Sequence, residues 1–170
     1  MLANDPDGRA IPRRRVPAVA LALTGLLAAL APGPAGAQTT QGLAPLLDAS
    51  GLKYLMHDET TAVVLVRTSQ DKVRVVTVRV REGVLAVFSE IIRAEGETVP
   101  VPLWKKVAEV NARPSLAHVG YVEAQSTFHA VSGLPDPQQA TGEVLRAMIL
   151  EVAGLADEME PVLRDLLEVQ

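Results

Sequence analysis

The sequence predicts an α+β domain: an antiparallel sheet covered by helices, in the order α-β-β-β-α-β-β-α. Three observations carry this. Residues 61–92 hold three apolar, β-branched runs in succession, separated by turn chemistry, which describes an antiparallel meander. Three other stretches repeat their apolar residues every three or four positions, the period of a half-buried helix. No helix alternates with strands in a repeating crossover pattern, which removes the parallel α/β classes.

The elements follow in chain order. In "LAPLLDAS" (43–50), Leu43, Leu46 and Leu47 share one helical face, and Gly51 is placed to cap the C-terminus. "TAVVLVR" (61–67) is a continuous β-branched run, and "TSQDK" (68–72) is turn material. "VRVVTVRVR" (73–81) alternates, with Val76, Val78 and Val80 facing one way and Thr77, Arg79 and Arg81 the other. Glu82-Gly83 makes a tight turn into "VLAVFSEII" (84–92). After the polar loop "AEGETV" (94–99), Pro102 suits a first helical turn. Leu103, Val107 and Val110 then form an apolar stripe beside Trp104 and Ala108, with Lys105, Lys106 and Glu109 outside it. Pro114 ends that helix. "HVGYVEA" (118–124) and "STFHAVS" (126–132) read as a second hairpin around Ala124-Gln125. Asp136, with Pro137 and Gln139, forms a capping box for the last helix, and Thr141 is a rival cap. The helical period runs from Leu145 to Leu167, with Pro161 expected to kink or split it.

The first 37 residues are not expected to be fold. Arg13, Arg14 and Arg15 precede an apolar run, Val16 to Ala31, and Ala35-Gly36-Ala37 offers small residues at a peptidase site. This is the pattern of a secretory signal peptide cut between Ala37 and Gln38, and the run is shorter than the roughly 20 residues of a membrane span. The chain therefore divides into a signal peptide, 1–37, and one domain, 38–170, in the periplasm or secreted. Cleavage takes four arginines and two aspartates, so the net charge of −4 becomes about −6. An acidic balance argues against nucleic acid and anionic membrane as partners. The absence of cysteine excludes disulfides, thiol catalysis and cysteine-ligated metal.

Chemistry-bearing residues are few. His57, His118 and His129 lack the i, i+4 or His-x-His spacing of metal ligands, so no metal or other cofactor is expected. They read as solvent-facing strand residues. A histidine-based ligand-binding or hydrolytic site would require them to converge in space beside a carboxylate. Ser132 precedes Gly133, but nothing in sequence sets a histidine and an acid beside it. Arg74, Arg79 and Arg81 are read as one charged sheet face, which either resists edge pairing or docks an acidic partner. Trp104 reads first as a core anchor and otherwise as an exposed contact for a partner. The last helix carries more apolar residues than one face requires. Val144, Leu163, Leu166 and Leu167 are expected either to support a two-fold homodimer or to fold back on the core at Pro161.

The run "WKKVAEVN" ending at Asn111, the segment "ARP", the hairpin "HVGYVEAQSTFHAVSGLP" and the acidic tail "ADEMEPVL" together resemble the YbjN domain. That family comprises bacterial sensory transduction regulators with a type III secretion chaperone-like fold, and Trp104 and Asn111 stand at its central-helix positions. The resemblance implies no cofactor, no enzyme activity and no assigned catalytic or binding residues. It implies an exported, non-enzymatic module that binds a protein or peptide, in a chaperone-like or regulatory role. The other reading is a small periplasmic ligand-binding or hydrolytic domain built on clustered histidines.

Overall fold

The computed structural model describes residues 42–94 and 99–168. The predicted signal peptide lies outside the described residues, as does most of the polar loop after the third predicted strand. The elements are α1 (Leu43–Ser50), β1 (Tyr54–Asp58), β2 (Thr61–Arg67), β3 (Val73–Arg81), β4 (Val84–Arg93), α2 (Val101–Asn111), β5 (His118–Val122), β6 (Thr127–Leu134) and α3 (Gly142–Glu168). The six strands form one antiparallel sheet in the order β1-β2-β3-β4-β6-β5.

The α+β reading and its helices and strands hold, and the structure adds β1. This strand pairs Tyr54 with Val64 and Met56 with Ala62 on the sheet's outer edge. Its alternation is masked in sequence because Leu55, on the outward face, is as apolar as its inward neighbours. The turns form as their residues require. Glu82 and Gly83 both take positive φ, 51° and 76°, the combination that matches the right-handed twist of a hairpin. Gly51 caps α1 in the left-handed conformation.

The core lies between one sheet face and the helices. Val64, Val66, Val76, Val78, Val80, Leu85 and Val87 point at Leu145, Ile149, Val152, Ala156, Met159 and Leu163, all buried. Each such Leu, Ile or Met contributes about 1.5–3 kcal/mol by leaving water. Of the two caps expected for the last helix, Thr141 is the one that serves it, and Asp136 instead caps a separate turn before it. Asp136 accepts from Gln138 N (3.0 Å) at the head of a short 3-10 turn, and Thr141 Oγ1 accepts from Val144 N (3.2 Å) at the head of α3. Gly142 is where α3 crosses α1. A Cβ there would lie 2.3 Å from the Ala49 carbonyl carbon, so only glycine admits this approach.

The structure corrects three expectations about the last helix and β3. Pro161 neither splits nor ends α3, which runs unbroken through it. It sits on the exposed side, where water can take up the backbone carbonyl that proline leaves unpaired. Leu163 and Leu167 are buried in the core and offer no association surface, whereas Val144 is exposed and Leu166 half-buried. The turns after Pro161 continue the helix and bury Leu163 and Leu167 in the same core, with no fold-back. Arg74 does not share a face with Arg79 and Arg81. It stands five positions before Arg79, and an odd offset puts it on the opposite side of a pleated strand, with Val76 and Val78. It is held there by Asp157 (3.0 Å) and Glu160 of α3.

Candidate partner-binding surface

All three described α-helices contribute to the core on one face of the sheet. The other face is built by the alternate residues of the same strands. Its central row follows the register across all six strands: Leu55, Val63, Thr77, Phe88, Val131 and His118. On the β4–β6 side this face is closed. Ala86, Val131 and His129 are buried, and Phe88 stands edge-on to His129 with ring centroids 6.1 Å apart. On the β1–β3 side it is open. Leu55 is 74% exposed, Leu65 65%, Val73 58% and Val75 54%.

The register explains the difference. β3 pairs with β4 only between Thr77–Arg81 and Val84–Phe88, whereas its pairing with β2 runs from Val73 to Arg79 and takes up all of β2. Beyond Thr77 the β2–β3 hairpin is free of β4, and the Ser89 hydroxyl donates to the Val75 carbonyl (2.9 Å) across the split. The hairpin arm is tied down from the helix side. The Thr68 hydroxyl donates to Asp157 Oδ2 (2.7 Å), Arg74 donates to Asp157 Oδ1, and Lys72 lies 3.8 Å from Asp157 and 3.5 Å from Glu160. Burial pushes the Asp157 and Glu160 carboxyls up. Hydrogen bonds from Thr68 and Arg74 to Asp157, and from Arg164 and Arg74 to Glu160, outweigh it together with the charges of Arg74 and Lys72. Both carboxyls are held below their ordinary range. The arm is therefore rigidly docked on one side and apolar on the other.

The cations of the open face stand at the ends of this apolar stretch. Arg67 pairs with Val73 in the register and bridges Asp71 (3.4 Å), both side chains well exposed. Arg79, opposite Thr61, lies over the Phe88 ring, 5.9 Å from its centroid. Among the described residues it has no carboxylate partner. Arg81 contacts Glu82 (3.2 Å) at the β3–β4 turn.

The histidines are dispersed. His118 and His129 lie on the same face but diagonally, since His118 is opposite Val131 and His129 opposite Gly120. His57 is on β1, four strands from β6, or roughly 19 Å at the usual strand spacing. The three do not converge, so the geometry of a histidine-based hydrolytic site is not formed. Among the described residues no group of three His, Asp or Glu is placed to hold a metal ion. His129, expected in solvent, is buried, and neither ring nitrogen has a hydrogen-bond partner among the described residues. Burial lowers its pKa, opposed by Glu90 and assisted by Arg93. Ser132 donates to the Leu116 carbonyl (2.7 Å), a structural bond. No described helix is long and apolar enough to cross a membrane.

Trp104 is not the core anchor expected. It is 42% exposed, standing edge-on to Tyr121 (5.4 Å) and tilted against Phe128 (5.6 Å). Asn111, the last residue of α2, has the clearer role. Its amide donates to Val119 O (2.9 Å) and its oxygen accepts from Val119 N (2.7 Å). This pair of bonds is what a seventh strand would make, so Asn111 closes the β5 edge against strand addition. The sequence signal for this is an asparagine terminating a helix just ahead of a strand.

No protein-family model matches the chain, and no curated protein matches it. Solved structures do. A chain of the heterodimeric ExoU–SpcU complex from the type III secretion system of Pseudomonas aeruginosa superposes with a TM-score of 0.50 at 13% identity. The match covers 75% of this chain and 99% of that one. A chain of the HopA1–SchA chaperone–effector complex superposes with a TM-score of 0.52 at 11% identity, covering 69% of this chain and 92% of that one. The fold is type III secretion chaperone-like.

Proposed function

We propose that the protein is an exported, non-enzymatic module that binds a protein or peptide partner in a chaperone-like or regulatory role. The observation that carries this is the open half-face: four exposed apolar residues on and beside a hairpin arm that ion pairs hold rigid from behind. Exposed apolar surface gathered in one place is the usual mark of a partner site. The likeness in fold to chains from a heterodimer and from a chaperone–effector complex supports the same reading. The finer assignment is a YbjN-like domain, 38–170, supported by the run ending at Asn111 and by the acidic tail of α3.

Selection of a random peptide phage library against the purified protein tests the binding role. Enrichment of peptides that bind saturably when resynthesised supports it, and failure to enrich any counts against it. Export is tested separately. Intact-mass analysis of the exported protein should give an N-terminus at or near Gln38, and recovery of only full-length protein from the cytosol would refute export.

A further inference from the structure

We infer that the open face of the β2–β3 arm receives an acidic amphipathic helix of a partner protein, about four turns long. The inference rests on the binding role above and names the partner's chemistry.

The surface sets the occupant's form. Leu55, Leu65, Val73 and Val75 project from the flat of the sheet, Leu55 from the edge strand β1 and the others from the β2–β3 hairpin. An extended chain laid across a sheet face would leave its own backbone groups without partners, which costs free energy at each buried group. A helix satisfies its backbone internally and presents a side-chain stripe, so it is the element that packs on a sheet face. The other face of this same sheet is covered in that way by α3.

Charge sets its sign. The domain is acidic overall, yet the apolar stretch is bracketed by cations. Arg67 stands at the end opposite Val73 and Arg79 at the other end, opposite Thr61. Among the described residues Arg67 holds only the exposed Asp71, a pair of the kind worth about 0–1 kcal/mol and easily exchanged for another carboxylate. Arg79 holds only the Phe88 ring among the described residues. Stacking a second copy on this face would bring the arginines of both copies onto one interface. An acidic partner turns the same charges into attraction at short range, inside a Debye length of about 8 Å.

Spacing sets its length. From Val73 to Arg79 is six residues of strand, about 20 Å. A helix covers that distance in about 13 residues. The expected occupant therefore carries apolar residues at helical spacing and a carboxylate near each end, about 13 positions apart.

The peptides enriched from the random library provide the test, measured by fluorescence polarisation on resynthesised sequences. The expected result is a consensus of net negative charge with apolar residues at i, i+3, i+4 and i+7. Leu65→Ser with Val75→Ser should weaken binding at least tenfold. Arg67→Gln with Arg79→Gln should weaken it and flatten its salt dependence, while Trp104→Ser leaves it within twofold. Far-UV circular dichroism and the urea midpoint should be unchanged in the arm variants, since the residues replaced there are on the uncovered face. Enriched peptides that are neutral or basic, or whose binding is indifferent to the arm substitutions, would overturn this inference and leave the binding role standing. A dimer that Leu65→Ser and Val75→Ser convert to monomer would assign the face to a second copy and equally overturn it. Failure to enrich any peptide would overturn both.

Discussion

Asn111 and His129 show how much a single side chain can decide in this sheet. Asn111 supplies both a donor and an acceptor to the backbone of Val119. Replacing it with alanine removes both bonds and bares an edge. Asn111→Ala should lower stability by about 1–3 kcal/mol, the cost of leaving partly buried backbone groups unpaired, read as a lower urea midpoint. Asn111→Asp keeps the acceptor and loses the donor, so its midpoint should fall between the two. His129 makes the opposite kind of contribution, because it is buried with no hydrogen-bond partner among the described residues. Its folded pKa lies below the ordinary 6.5, so the unfolded chain binds the proton more readily. The stability that depends on a neutral His129 is complete above about pH 6.5 and is lost as the pH falls through the folded value. Urea titrations between about pH 7 and pH 5 should show this decline, and His129→Leu should flatten it. An unchanged slope in the variant would mean that other groups set it.

Two contacts between elements decide how the layers fit. The first is the crossing of α1 and α3 at Gly142. A methyl group at this position would stand 2.3 Å from the Ala49 backbone, so Gly142→Ala must push the helices apart. A loss of about 1–3 kcal/mol is expected by analogy with overpacked cores, even though alanine is the better helix former. Raised stability in this variant would show that the crossing has slack. The second is the docking of the β2–β3 arm on α3. Asp157 is buried and faces Thr68, Arg74 and Lys72. Asp157→Ala leaves Arg74 without its main partner and should cost about 3–5 kcal/mol, read from the urea midpoint. Asp157→Leu combined with Arg74→Leu should cost clearly less. The folded pKa values of Asp157 and Glu160 are depressed from ordinary values of 3.8 and 4.5. Their contribution is therefore complete above about pH 4.5 and is lost at lower pH, a window separate from that of His129.

For the whole molecule, the two sheet faces have different roles. One builds the core: α3 packs across β3, β4, β6 and β5, and Leu163 and Leu167 are part of that core. Changing both to glutamate should therefore abolish folding, seen as loss of the cooperative unfolding transition. A folded protein carrying both substitutions would contradict their burial. The other face carries its exposed apolar residues on the β1–β3 half, where a partner can reach them. Under the binding role proposed above, one face serves stability and the uncovered part of the other serves the partner, with no pocket required.

The fold class, the helices, five of the six strands and the turns are legible in the chain alone, because each depends on local periodicity, glycine and proline geometry, or capping chemistry. Gly51, Glu82-Gly83, Asp136 and Thr141 each act as their types require. The parity that sets Arg74 apart from Arg79 is equally local, and the grouping of all three arginines on one face overlooks it. Long-range packing settles which of two amphipathic solutions each remaining residue joins. Pro161 is tolerated because its side of α3 faces water, and Leu163 is core because the helix continues past Pro161 into the same buried cluster. Trp104 is half-exposed because α2 sits at the margin of the helix layer. β1 is hidden from a pattern search because an edge strand can leave an apolar residue in solvent, and Leu55 does. The open face itself depends on where β4 parts from β3, a matter of long-range register that no local pattern records.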